Sequence, residues 1–243
     1  MNMAEPVRTS PADGALEVFL LGLVDFDAAL FLQERLMMNV AQRDDGYGAL
    51  LICEHPPLIT IGRSGSQAEV RCDKQELTAR QIDVRWLNRG GGALLHVPGQ
   101  LALYPILPLA RRRLGLAAYR ERLEQTVIDT CREMRIRAWR QPGGADVCCR
   151  GGMVASVGVA VRQGVSSHGL FVNVNPWMDV MALVKSATGR ASSLASELGL
   201  PVSMASVRES LIRRLAARLD YQRYHLYTGH PLLRRTRRVV AYA

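Results

Sequence analysis

Apolar positions along this chain change period several times, and each change marks an element. Leu16 to Leu23 is a short apolar run that predicts a strand, and Asp25 to Gln42 shifts to helical spacing, with Asp25 placed to cap the helix. Ala49 to Cys53 is apolar again and is ended by Glu54, His55, Pro56 and Pro57, since proline has no amide to give a ladder. Leu58 to Gly62 and Asp83 to Leu87 supply two further strand-like runs, the second rich in β-branched and aromatic residues. Leu101 to Leu109 is apolar throughout, and Pro105 and Pro108 predict that it is an edge strand or a split one.

From Ala117 to Arg135 the period is helical, with Leu123, Val127, Cys131 and Met134 on one face. Beyond Pro142, Gly143 and Gly144, the segments Val154 to Arg162, Ser167 to Val174 and Val180 to Val184 predict consecutive antiparallel strands and a short helix. Ser206 with Glu209 predicts a capping box, and Val207, Leu211, Leu215 and Leu219 line the apolar face of a last helix. Helices and strands are interspersed without strict βαβ alternation, which predicts an α/β protein of the α+β kind with mixed sheets covered by helices. The expected organisation is a flexible leader over residues 1–14, a single domain over 15–225 and a basic C-terminal tail over 226–243.

The 243 residues are 48% hydrophobic and 22% charged, which favours one large domain with a buried core over an extensively disordered chain. A net charge of +9 invites a nucleic-acid reading. Only Lys74 and Lys185 are lysines, however, and the arginines are spread along the chain, with clusters at Arg111 to Arg113 and Arg234 to Arg238 and no interleaved aromatic signature. The charge reads as solvated faces or as a surface for an acidic protein partner, so no nucleic-acid partner is expected. Cysteines stand at 53, 72, 131, 148 and 149 with no CxxC spacing, which indicates neither a zinc site nor a disulfide framework and suits a reducing compartment. The polar stretch Met1 to Gly14 has no apolar h-region, and Ala15 to Val24 is too short to cross a bilayer, so the expectation is a cytoplasmic protein with no membrane association.

Candidate chemistry concentrates in one string: Arg89, Gly90, Gly91 and Gly92, three apolar residues, then His96, Val97, Pro98, Gly99 and Gln100, leading into Tyr104, Pro105, Ile106 and Leu107. Glycines at a strand end permit positive φ and let a ligand lie against bare backbone whose amides can hold a carbonyl or a phosphate. A triple glycine alone is equally a hairpin turn.

The whole string, R-G-G then H-x-P-G-Q then Y-P-I-L, resembles the lipoyl(octanoyl) transferases, relatives of the biotin and lipoate protein ligases. Ala29, Leu30, Leu32, Gln33 and Leu36 are similar to that family's first helix, and Glu54 to Pro57 with Thr60 to Arg63 to its second shared stretch. Ala155 to Val159 resembles its glycine-bearing strand, Ser167 to Leu170 with Asn173 its S/Y-HG-L-x-x-N stretch, and Ser193 to Gly199 the segment after its catalytic loop. The resemblance implies a biotin/lipoate ligase-like catalytic domain, and transfer of an octanoyl group from acyl carrier protein to a lysine of a lipoyl domain, of 2-oxoacid dehydrogenase or glycine cleavage proteins, through an enzyme thioester. It implies no cofactor or metal, and a monomer. Such chemistry needs an activated nucleophile, a slot for the chain and donors for the thioester oxygen. By the same resemblance Arg89, Gly90, Gly91, Gly92, His96, Val97, Gly99, Gln100, Met153, Ser156, Val157, Gly158, His168, Gly169, Leu170 and Phe171 line or adjoin the acyl substrate, although each histidine taken alone reads first as a structural tie between loops.

Two departures bear on the reaction. The family's nucleophile is a cysteine in a Pro-Cys-Gly loop, whereas here the segment is Lys185, Ser186, Ala187, Thr188, Gly189, and no cysteine follows residue 149. The family's lysine, which lowers the cysteine pKa, is replaced by Met153. Val97 also puts a β-branched side chain where the family has glycine, an expected narrowing of the slot. Thr188 as a hydroxyl nucleophile, Cys149 or Cys148 approaching from a neighbouring strand, and Lys185 as a substitute cation are the candidate replacements. The sequence therefore supports an acyltransferase working by an altered mechanism, or an inactive homologue that binds acyl chains, carrier protein or lipoyl domains. An ATP-dependent ligase is disfavoured, because those relatives also use the missing lysine.

Overall fold

The computed structural model describes residues 14–185 and 189–233. In chain order its elements are β1 (Leu16–Leu23), α1 (Phe26–Gln42), β2 (Gly48–Glu54), β3 (Leu58–Ile61), α2 (Lys74–Ala79), β4 (Asp83–Trp86), β5 (Ala93–His96) and β6 (Gln100–Ile106). Then follow α3 (Leu116–Glu133), β7 (Trp139–Arg140), β8 (Asp146–Cys149), β9 (Gly152–Arg162), β10 (Val165–Asn173), α4 (Met178–Met181), α5 (Leu194–Leu198), α6 (Met204–Arg218) and β11 (Tyr224–Thr228). The main sheet has eight strands in the order β11-β1-β2-β6-β10-β9-β8-β7, and a smaller one has three in the order β4-β3-β5. The strands β11, β1 and β2 pair in parallel, while the rest of the main sheet is antiparallel. This is the mixed, helix-covered architecture expected.

The unbroken apolar run of β2 follows from burial on both faces. Leu50 and Ile52 point to one side, where Leu123 and Val127 of α3 and Leu211 and Leu215 of α6 complete the larger core. Ala49, Leu51 and Cys53 point to the other, against Leu32, Leu36 and Val40 of α1. A third cluster joins Ile59 and Ile61 of β3 to Leu77 of α2, Leu95 of β5, and Met181 and Val184 at and after α4. Much of the arginine charge is spent internally: Asp129 of α3, 1% exposed, is clamped by Arg132 and by Arg218 of α6, and Glu133 meets Arg213 and Arg214.

Three expectations change. The strand carrying Pro105 is central, between β2 and β10, and wholly buried. Its missing amide is tolerated because pairing with β10 runs only from Leu170–Leu103 to Asn173–Gln100. Beyond that point Gly169 leaves room for the ring, as a Cβ there would lie 2.8 Å from the Pro105 ring and closer still to the Leu103 carbonyl. The last helix starts earlier than the Ser206 capping box implies: Ser203 is the cap, its hydroxyl accepting from the Ser206 amide at 3.3 Å. Finally, the segment from 226 begins inside β11, whose Leu226 pairs with Val18, so regular structure runs through Thr228. Residues 1–13 and 234–243 lie outside the described residues, and with them nearly all of the leader and most of the tail. No helix among the described residues is long and apolar enough to cross a membrane.

Candidate functional site

The small sheet meets the main sheet through the glycine string. The loop after β3 is stitched to it by Gly62 N–H to Gly92 O at 3.1 Å, Arg63 N–H to Arg89 O at 2.9 Å and Ser64 N–H to Gly91 O at 3.2 Å. On the other side Gly90 N–H donates to Val159 O of β9 at 2.9 Å. The segments around 90 and 158 are therefore adjacent, and what lies between them is a side chain. Arg89 is 0% exposed and threads through this junction. Its Nη1 donates to Gly90 O at 2.9 Å, and its Nη2 to Thr60 O at 2.9 Å and Thr60 Oγ1 at 2.7 Å. A Cβ on Gly158 would come 3.1 Å from that guanidinium, so this glycine makes space for Arg89 and not for a ligand.

From Arg89 a buried relay runs toward the end of the main sheet. Gln100 Nε2 donates to Leu95 O at 3.1 Å and Asn173 Oδ1 at 2.9 Å, which turns its oxygen toward His96 Nδ1 at 3.0 Å. His96 Nδ1 must then carry the proton, and Nε2 accepts from the Thr60 hydroxyl at 2.8 Å. Asn173 Nδ2 ends the relay on Ser192 O at 3.0 Å. Burial holds the His96 pKa well below the ordinary histidine value, helped by His55 and Arg89. Burial also lowers His55 to about 4, lowers His168 to about 4 with a contribution from Arg89, and brings Arg89 down to about 10.

In front of this relay opens a cavity of about 540 Å3. Its greasy wall is Leu94 and Leu95 of β5, Phe171 of β10, Met153 of β9, and Met181 and Val184; its bare-backbone wall is Gly91 and Gly92. The Gly91 and Gly92 amides have no hydrogen-bond partner among the described residues. Its polar residues are Ser64, Ser156, Asn173, Gln100, Lys185, Glu69, Arg120 and Asp146. Glu69 is engaged, its Oε2 accepting from Ala93 N–H at 2.5 Å. Arg120 pairs with the buried Glu124 at 3.1 Å. Asp146 sits directly across the ladder from Ser156. Asp146 is 7% exposed, and burial raises its pKa against the lowering effect of the Ser156 hydroxyl.

The residues named from sequence thus divide. Gly91, Gly92, Gln100, Met153, Ser156, Phe171 and Lys185 line the cavity. Arg89, Gly90, His96 and Gly158 form the support behind it. Val157 and Leu170 point through the sheet into the larger core, because successive strand residues face opposite sides. Gly169 accommodates β6, and His168, at φ 53°, takes its amide to Gln33 Oε1 at 2.8 Å instead of presenting it to the cavity. Val97 packs with the third cluster and, with Gly99, borders a separate outer hollow, so it does not narrow the slot. Gly99 has a φ of 88°, and a Cβ there would lie 2.4 Å from Asn175 O, so both the backbone and the space require glycine. Cys149 faces the larger core, where a hydrogen bond with Cys131 and then burial hold its thiol far above the ordinary range. Cys148 turns to Gln141 Oε1 at 3.8 Å. Neither thiol reaches the cavity lining. Thr188 lies outside the described residues. The residue missed from sequence is Asp146, whose signal was a lone carboxylate opening an otherwise apolar strand, Asp-Val-Cys-Cys. Among the described residues no cluster suits a metal ion.

The family model for the lipoyl protein ligase A/B catalytic domain matches residues 25–216. The octanoyltransferase of Geotalea uraniireducens (strain Rf4) is 36% identical over 208 residues, covering 84% of this chain and 94% of that one. The octanoyltransferase of Geobacter metallireducens is 36% identical over 214 residues, covering 87% and 97%. Among solved structures, a bi-partite lipoate protein ligase from Thermoplasma acidophilum, described with its E2 lipoyl domain, superposes with a TM-score of 0.69 at 18% identity, covering 91% of this chain and 89% of that one, a likeness of fold.

Proposed function

This chain belongs to the lipoyl protein ligase A/B catalytic-domain family, with octanoyltransferases among its relatives, and from that premise we propose that it transfers an octanoyl group from acyl carrier protein to a lysine of a lipoyl domain. Lipoyl domains of 2-oxoacid dehydrogenase or glycine cleavage proteins are the acceptors. The observation that carries the mechanism is a cavity whose described lining holds a buried carboxyl, Asp146, and no thiol.

An amine can attack a thioester directly once it has lost a proton. In this route the lipoyl-domain lysine enters as an ammonium and gives its proton to the Asp146 carboxylate. Its nitrogen lone pair then forms the C–N bond, the C–S bond breaks, the second nitrogen proton passes to the departing thiolate, and Asp146 releases the first to solvent, which restores its carboxylate. The apolar wall seats the chain, and the unpartnered Gly91 and Gly92 amides face the developing oxyanion. Met153 fills volume at the position where the resemblance places a lysine. With no thiolate to activate, that cation has no task.

Incubation with octanoyl carrier protein should leave the intact mass unchanged, and initial rates against both substrates should intersect, as a ternary complex requires. A mass gain of one octanoyl group with parallel lines would reject direct transfer and, if mapped to Thr188, install the hydroxyl route. The second reading is an inactive binder, favoured by the same lack of a lining thiol. Binding of octanoyl carrier protein with no product on a lipoyl domain selects it.

A further inference from the structure

Beside the acyl cavity lies a second one of about 420 Å3, and the two share Met181, Val184 and Ala191 as a common wall. Three arginines line it, Arg71, Arg150 and Arg190, together with Asp179 and Glu197. Glu197 is already occupied, since its Oε1 accepts from the Gly151 amide at 2.9 Å and from the Ser192 hydroxyl at 2.6 Å. Arg71 and Arg150 make no ion pair and no side-chain hydrogen bond among the described residues. This sets them apart from Arg120 and Arg132 of α3 and Arg213, Arg214 and Arg218 of α6, which are spent on Glu124, Asp129 and Glu133. Both start from fixed backbone: Arg71 N–H donates to Leu183 O at 2.8 Å, and Arg150 precedes the glycine pinned by Glu197.

Two unpaired guanidinium groups at a hollow, those of Arg71 and Arg150, select a compact anion, and phosphate oxygens suit the planar donor fork. A folded protein surface does not enter a recess of this size, but a flexible arm does. Acyl carrier proteins hold their acyl group as a thioester at the end of a 4′-phosphopantetheine arm. We propose that the Arg71–Arg150 cavity is an anion site that receives the phosphate of this arm while the acyl chain occupies the cavity across the shared wall. The transfer reading supplies the identity of the ligand, and the site itself is tested without turnover.

The test is calorimetric binding of two small probes, S-octanoyl-4′-phosphopantetheine and S-octanoylpantetheine, to the full chain. The phosphorylated probe should bind about tenfold tighter, the scale of one or two charge-assisted hydrogen bonds. The advantage should weaken with added salt. The double variant Arg71→Ala/Arg150→Ala should abolish that advantage and leave the affinity for S-octanoylpantetheine unchanged, while Lys at both positions should keep part of it. Equal affinities in the unaltered chain, an advantage that survives the double variant, or no measurable binding of either probe would overturn the site. So would a loss in the double variant seen only with intact carrier protein, which would place its acidic surface here instead. A phosphate preference in a chain that makes no octanoylated lipoyl domain would leave the site standing and remove the transfer reading.

Discussion

The relay behind the cavity and the wall in front of it use polar residues in opposite ways. Behind, from Arg89 through Thr60, His96 and Gln100 to Asn173, donors meet acceptors in a single consistent order. In front, Asp146 shares only the Ser156 hydroxyl and keeps a face on open space. The residues that make the family resemblance visible therefore divide between the supporting layer and the cavity wall. The carboxyl that the proposed route uses, Asp146, lies outside the shared motifs. A family signature here marks how the cavity is built, and the proton acceptor of the proposed route is read from the cavity lining instead.

Acid should separate the two regions most sharply. The unfolded chain protonates His55 and His168 near 6.5, whereas the folded chain resists until about 4. The unfolded state thus binds more protons in that window, so stability is complete above about 6.5 and is lost as pH falls toward 4. At roughly 1.4 kcal/mol per unit, each ring withholds up to about 3 kcal/mol, with His96 adding in the same direction. Asp146, with its pKa raised, works the other way but is a single carboxyl. Thermal melts from pH 7 to pH 4 should show a steep fall of the midpoint, and a flat profile would mean that the histidines are not held neutral by the fold.

Within the relay, Arg89→Ala should come next, at about 3 kcal/mol of lost stability. It empties a fully buried volume and strips donors from the Thr60 and Gly90 carbonyls. Denaturant unfolding measures this directly. A loss below about 1 kcal/mol would show that the junction of the two sheets closes without it.

How much of this was legible depends on whether the signal was local. β1 and α1 were visible because their apolar periods and the Asp25 cap are written within the elements themselves. The central place of β6 was not, because Pro105 is tolerated through Gly169, a residue on another strand that removes the clash. The same holds for the site. That Gly91 and Gly92 line the cavity while Gly158 makes room for Arg89 depends on the tertiary approach of two segments. Cys149 and Asp146 lie on one short strand, and only the pairing of β8 with β9 decides that the carboxyl and not the thiol of Cys149 faces the cavity.

On the wall, Asp146→Asn should lower kcat by about a hundredfold, the lower end of what a positioned proton acceptor contributes. KM and the melting temperature should hardly move, because an amide fits the same space and avoids the cost of burying charge. The unaltered protein should gain activity as pH rises through the Asp146 titration, which burial shifts upward, and the asparagine variant should lack that limb. An unchanged pH profile would return Asp146 to the supporting layer and erase the contrast between the two regions.

Met153→Leu should have the smallest effect. Met153 lines the cavity but is 6% exposed, and its backbone is fixed independently of its side chain, by N–H to Arg190 O at 2.9 Å and by its carbonyl accepting from Ser192 N–H at 2.8 Å. Leucine keeps nearly the same volume, so stability should change by less than about 1.5 kcal/mol and transfer by less than about threefold, since 1.4 kcal/mol in the barrier is a tenfold change in rate. The small number is informative because this position is where the resemblance expects a lysine. If the leucine variant lost activity as deeply as Asp146→Asn, the thioether would be a working group. Transfer would then depend on the very position where this chain departs from its relatives, and direct proton transfer to a carboxylate would no longer account for it.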